Sequence, residues 1–123
     1  MKSIQLFLEQ EHFRKPVLAI DFDGVIHRYN QGWKDGSIYD IPVPGVKESL
    51  EKLSKKYTLV IHSARARSKT QIRMIQDWLT KNNLSQYISR IEPKIVAKLY
   101  VDDLGVTFKN WDQALKEIND RLK

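Results

Sequence analysis

Cysteine is absent from the chain, which excludes a disulfide scaffold, thiol catalysis and cysteine-ligated zinc. No apolar run approaches the ~20 residues that a membrane-crossing helix needs, so no membrane partner is expected. Glycine and proline are sparse, and they form no linker that would divide the chain. Internal repeats and low-complexity stretches are likewise missing. Acidic residues are in deficit, 15 against 21 Lys and Arg, giving a net charge of +6. That excess favours acidic partners, such as phosphorylated molecules or nucleic acid, and says nothing about fold. The opening apolar stretch is broken by Glu9, Glu11 and His12, which argues against a signal peptide and for a cytoplasmic protein. What is present is ordinary for a folded chain: 41% hydrophobic residues are enough to build a core. With 123 residues, a single domain spanning residues 1–123 is expected.

Periodicity places the elements. Ser3 can cap a short helix carrying Ile4, Phe7, Leu8 and Glu11. Val17 to Phe22 is a continuous apolar run, suited to a strand buried on both faces of a parallel sheet. Residues 25–44 mix Gly32, Gly36, Pro42 and Pro44 with Tyr29, Trp33 and Tyr39, the composition of an irregular flap or hairpin. Val46, Leu50 and Leu53 follow helical spacing, and a strand runs from Tyr57 to His62. Ser68 stands three residues before Gln71, a capping-box pattern, ahead of a helix with Ile72, Ile75 and Leu79 on one face. That helix fades at Asn82 and Asn83. A short strand is expected at Arg90 to Glu92 and another at Leu99 to Val101. Asn110 can cap a last helix with Trp111, Leu115, Ile118 and Leu122 on its buried stripe. Strands alternating with helices predict an α/β fold, a three-layer sandwich around a mostly parallel, Rossmann-like sheet.

In such sheets ligands sit beyond the carboxyl ends of the strands. Asp21 and Asp23 close the first strand, Ser63 follows the second, and Asp102 and Asp103 follow the last. Carboxylates converging there would repel one another unless a cation intervened, and an oxygen-rich set suits Mg²⁺ better than zinc. Asp21 can attack phosphorus as a carboxylate nucleophile, and Asp23 can act as the acid and base. Gly24 lets backbone N–H groups approach phosphate oxygens, Ser63 can donate to the phosphoryl group, and Lys94 can neutralise its developing charge.

The segments AIDFDGVIH (19–27), VIHSAR (60–65), Lys94 and YVDD (100–103) resemble the four ordered motifs of the haloacid dehalogenase-like hydrolase superfamily. The resemblance spans residues 17–103. It implies Asp21 as nucleophile and Asp23 as acid/base. It also implies Mg²⁺ held by the Asp21 side chain, the Asp23 carbonyl and Asp102, with Asp103 close by. Gly24, Ser63, Ala64, Arg65 and Lys94 would form the phosphate- and substrate-binding set, with Lys98 the other candidate for the lysine. The Ser-x-Arg of Ser63 and Arg65 is similar to that of the polynucleotide 3′-phosphatases. Between Gly24 and Pro44 there is room for a flap and none for a cap domain. An open site of that kind suits a large substrate or a lid lent by a second subunit, so a homo-oligomer is one expectation.

The expected activity is therefore Mg²⁺-dependent hydrolysis of a phosphate monoester, the substrate a nucleotide or a nucleic-acid phosphate. A metal-dependent nuclease would also use clustered acids and a basic surface, but would not require Ser63 and Lys94. A third reading is a phosphate-binding domain of the same fold without turnover. A phospho-receiver domain fits poorly, because no Asp lies between Asp40 and Asp77 to follow a central strand. Arg65, Arg67, Lys69 and Arg73 are either a polyanion-binding edge or a solvated helix start. Tyr29, Trp33 and Tyr39 either stack on a nucleobase or pack the hairpin. His27 and His62 are assigned no catalytic role.

Overall fold

The computed structural model describes residues 15–123. The expected helix at Ser3 to Glu11 lies outside the described residues. Strand β1 (Val17–Ile20) is followed by the flap and by helix α1 (Val46–Ser54). Strand β2 (Thr58–Ser63), helix α2 (Lys69–Lys81), a 3₁₀ turn at Ser85–Tyr87 and strand β3 (Arg90–Pro93) come next. Helix α3 (Trp111–Arg121) closes the chain. The fold is α/β.

The three strands are parallel in the order β1-β2-β3, with Ile20 opposite Ile61 and Ser63 opposite Pro93. Both crossovers therefore step in the same direction. Right-handed crossovers that do so place their helices on one face of the sheet. On that face Leu18, Ile20, Leu59, Ile61 and Ile91 join one core with Leu50 of α1, Ile75 and Leu79 of α2, and Trp111 of α3. Replacing Ile61, which is fully buried, by Ala would cost about 2–5 kcal/mol. The opposite face carries Val17, Ala19, Arg90 and Glu92, all exposed, around a buried Val60. The described residues thus form two layers, and the first strand is buried on one face where burial on both was expected.

The helix starts follow their capping residues. Ser68 Oγ accepts from Gln71 N, and Asn110 Oδ1 accepts from Gln113 N. The capping box of α2 is displaced by one residue, because Gln71 Oε1 accepts from Arg67 N and not from Ser68. A second correction concerns Leu99 to Val101, which forms no strand. Leu99 is 82% and Val101 98% exposed, and β1 has no partner on its outer edge among the described residues. A β-prone tripeptide without a paired neighbour has no ladder to join. Among the described residues no helix is long and apolar enough to cross a membrane.

Candidate active site

Parallel register brings three strand ends to one edge. Asp21 directly follows β1, Ser63 ends β2 and Lys94 directly follows β3. Lys94 N donates to the Ser63 carbonyl, which holds the lysine beside the central strand. Its Nζ reaches 3.6 Å from Asp21 Oδ2, so the pair spans the end of β2. Asp21 Oδ1 accepts from Phe22 N at 2.8 Å, which fixes the rotation of the carboxylate. Ser63 is buried, and its Oγ accepts from Arg65 N. Lys98 is exposed, and Lys94 is the lysine that meets Asp21.

Beyond β1 the chain turns sharply. Gly24 adopts a φ of 83°, a left-handed conformation that a side chain would strain. Its N–H bonds to the His27 carbonyl at 2.7 Å, while the N–H groups of Val25, Ile26 and His27 all converge on the Phe22 carbonyl. The turn aims Asp23 away from the sheet and onto Arg65. Arg65 Nε donates to Asp23 Oδ2 at 2.9 Å and a terminal nitrogen donates to Oδ1 at 3.0 Å, a bidentate fork. The third guanidinium nitrogen donates to the Gly36 carbonyl at 2.7 Å, and the Trp33 ring lies 4.7 Å from the guanidinium carbon. Arg65 is buried and fully engaged, so it does not extend the basic edge that Arg67, Lys69 and Arg73 present to solvent. Ala64, between Ser63 and Arg65, is half-buried in the turn.

His27 is the residue that sequence reasoning undervalued. It is fully buried, and its Nε2 accepts from Asp40 N at 3.0 Å. That acceptance puts the ring proton on Nδ1, which donates to Asp23 Oδ1 at 2.9 Å. Asp23 therefore receives three N–H donors and keeps one lone-pair position on Oδ2 for a further partner. Asp40 was missed altogether. It takes the Arg28 guanidinium as well as Asn30 N and Ile41 N, and its pKa lies far below the ordinary carboxylate range, chiefly through Arg28. The one sequence signal for it was an Asp opening an apolar-Pro turn, at Ile41-Pro42. Of the flap aromatics, Tyr29 and Tyr39 pack against His27, and Trp33 stays exposed. His62 is half-buried at the centre of the sheet. Burial, then the charge of Lys94, lower its pKa below the usual histidine value.

Asp102 and Asp103 form no metal-holding group with Asp21 and Asp23 among the described residues. Both are exposed, and Asp102 Oδ1 accepts from Leu104 N and Gly105 N in a turn of its own. Among the described residues no three His, Asp or Glu side chains gather closely enough to hold a metal ion. The expected convergence of four carboxylates is therefore not met. The cations facing Asp21 and Asp23 are Lys94 and Arg65, which remove the repulsion that the sequence argument assigned to a metal. As arranged, the residues do not fit a Mg²⁺ shell. Compared with protein-family models, curated proteins and solved structures, the chain matches none.

Proposed function

We propose that the chain is a phosphatase that hydrolyses phosphate monoesters through an aspartyl-phosphate on Asp21. The observation that carries this reading is the pairing of Asp21 with Lys94 across the end of β2, beside Ser63. In the reaction an Asp21 carboxylate oxygen bonds to phosphorus as the ester P–O bond breaks, and the leaving oxygen takes a proton from Asp23. Asp23 then accepts a proton from the water that attacks phosphorus, releasing phosphate and restoring the Asp21 carboxylate. Arg65 and His27 act as positioning residues, holding Asp23 with one oxygen position open. Lys94 and the Ser63 hydroxyl balance charge on the transferred group.

Mg²⁺ belongs to the reading through the resemblance, which would use Asp21, the Asp23 carbonyl and Asp102. Asp21, Asp23 and Asp102 form no metal-holding group among the described residues, so no step above runs through the ion. With the reading come a haloacid dehalogenase-like fold, a cytoplasmic location and a phosphorylated substrate, a nucleotide or a nucleic-acid phosphate. The absence of a cap keeps a homo-oligomeric lid among the expectations.

The test is hydrolysis of a generic aryl phosphate with and without Mg²⁺, by the wild-type chain and by Asp21→Asn. Loss of at least a hundredfold in rate on substitution supports the reading, and equal rates reject it. The engagement of Asp23 by three donors favours one rival, a phosphate-binding domain without turnover. That rival predicts phosphate binding that depends on Lys94, with no hydrolysis by either protein.

A further inference from the structure

Trp33 is the one exposed indole of the chain's three: it is 47% exposed, against 6% for Trp78 and 4% for Trp111. It is also held in place. One contact is the Arg65 guanidinium, 4.7 Å from the ring. Another is Gly36, where a Cβ would come within 2.9 Å of the indole, so the ring rests directly on glycine backbone. An exposed aromatic fixed in this way loses little freedom when a ligand stacks on it.

Between the flap and the first turns of α2 lies a cleft of about 280 Å³, lined by Trp33 from the flap and by Met74 from α2. Pockets for drug-sized ligands run from about 300 to 1,000 Å³, so this one suits a single ring system and not a run of nucleotides. Its polar groups are of both kinds. Gln71 Oε1 is occupied by Arg67 N, which leaves the amide N–H groups as donors. Asp35 lines the cleft as an acceptor, tethered by Ser37 N and without an ion pair among the described residues. Burial of one wall by Arg65 joins the cleft to Asp23, because the same guanidinium lines it and forks onto that carboxylate.

We infer that this cleft binds the base of a mononucleotide, stacked on Trp33 and read by Asp35 and Gln71. A planar heterocycle with apolar faces and N–H donors beside acceptors is the ligand chemistry these groups complement. A carboxylate at the base edge favours amino-bearing bases. The inference rests on the phosphatase reading for the destination of the phosphate, and it makes the substrate a free nucleotide in preference to a polynucleotide.

Binding separates the two claims, since it needs no turnover. The Asp21→Asn chain is titrated with adenosine 5′-monophosphate and with ribose 5-phosphate, by calorimetry and by indole fluorescence. The nucleotide should bind at least tenfold more tightly and quench the Trp33 emission, while the base-free sugar phosphate leaves the emission unchanged. Trp33→Leu should lower nucleotide affinity about tenfold and leave ribose 5-phosphate unaffected. Met74→Ala, in the same lining but on α2 and outside the flap, should weaken the nucleotide in the same selective way even if Trp33→Leu disturbs the fold. Equal affinity for the two ligands, or equal losses of both in the Met74 variant, would overturn the inference. Selective nucleotide binding by the Asp21→Asn chain, together with no hydrolysis of any phosphate ester by the wild-type chain, would reject the phosphatase reading alone.

Discussion

Two irregular stretches flank the candidate site, and they are held in opposite ways. The flap at 25–44 is rich in polar and turn-forming residues, yet its parts are tied to one another and to the core. Asp40 gathers Arg28, Asn30 and Ile41, its carbonyl accepts from the buried Trp78 indole, and its N–H donates to His27. The stretch at 94–105 is the more apolar of the two, yet Ile95, Leu99, Val101 and Leu104 are each more than 80% exposed. Apolar content alone does not fix an irregular segment. Buried acceptors that collect several backbone and side-chain donors do, because each donor left unpaired would carry a desolvation penalty.

The largest effect should follow from breaking the tie between flap and site. Arg65→Ala removes a buried guanidinium and leaves Asp23 facing an empty space, so a loss of about 3 kcal/mol is expected in urea denaturation. A loss under about 1 kcal/mol would mean that the Arg65 fork does not hold the flap. Asp40 sharpens the same point through pH. Its folded-state pKa is depressed by Arg28, so the stability it supplies is present above about pH 4 and is lost as acid protonates it. Asp40→Asn should flatten the acid limb of the stability profile, and an unchanged limb would remove Asp40 from the account.

A smaller effect concerns His62, whose pKa is lowered by burial and by Lys94. Its ring resonances should titrate below the unperturbed value of about 6.5, and Lys94→Met should move the midpoint upward. A midpoint above 6.5 would contradict the placement of Lys94 beside it. The smallest effect belongs to the other stretch. Val101→Ser, at a residue 98% exposed, should change stability by no more than about 0.5 kcal/mol. A loss of 2 kcal/mol or more would show that the stretch packs as the flap does, and the contrast between the two would fall.

Local signals were legible in the sequence, and long-range ones were less so. The caps at Ser68 and Asn110, the central strand and the glycine turn at Gly24 rest on neighbouring residues, and they stand where spacing put them. Asp21 and Lys94 were each legible as site residues, with Lys98 the other candidate for the lysine, and the parallel strands deliver the two to one edge, where they pair. The fork from Arg65 to Asp23 spans 42 positions, and the His27–Asp40 contact depends on how the flap folds back. No periodicity encodes either. Leu99 to Val101 has the composition of a strand, but strand formation needs a partner, and composition cannot supply one.

The claim that Asp21 carries the phosphoryl group is tested most directly by trapping it there. A phosphate monoester with labelled phosphorus is mixed with the chain and Mg²⁺, and the reaction is quenched in acid within milliseconds. Label should remain on the denatured wild-type protein, be released by hydroxylamine as an acyl phosphate is, and be absent from Asp21→Asn. Turnover without any bound label, or label of equal amount on Asp21→Asn, would contradict the account.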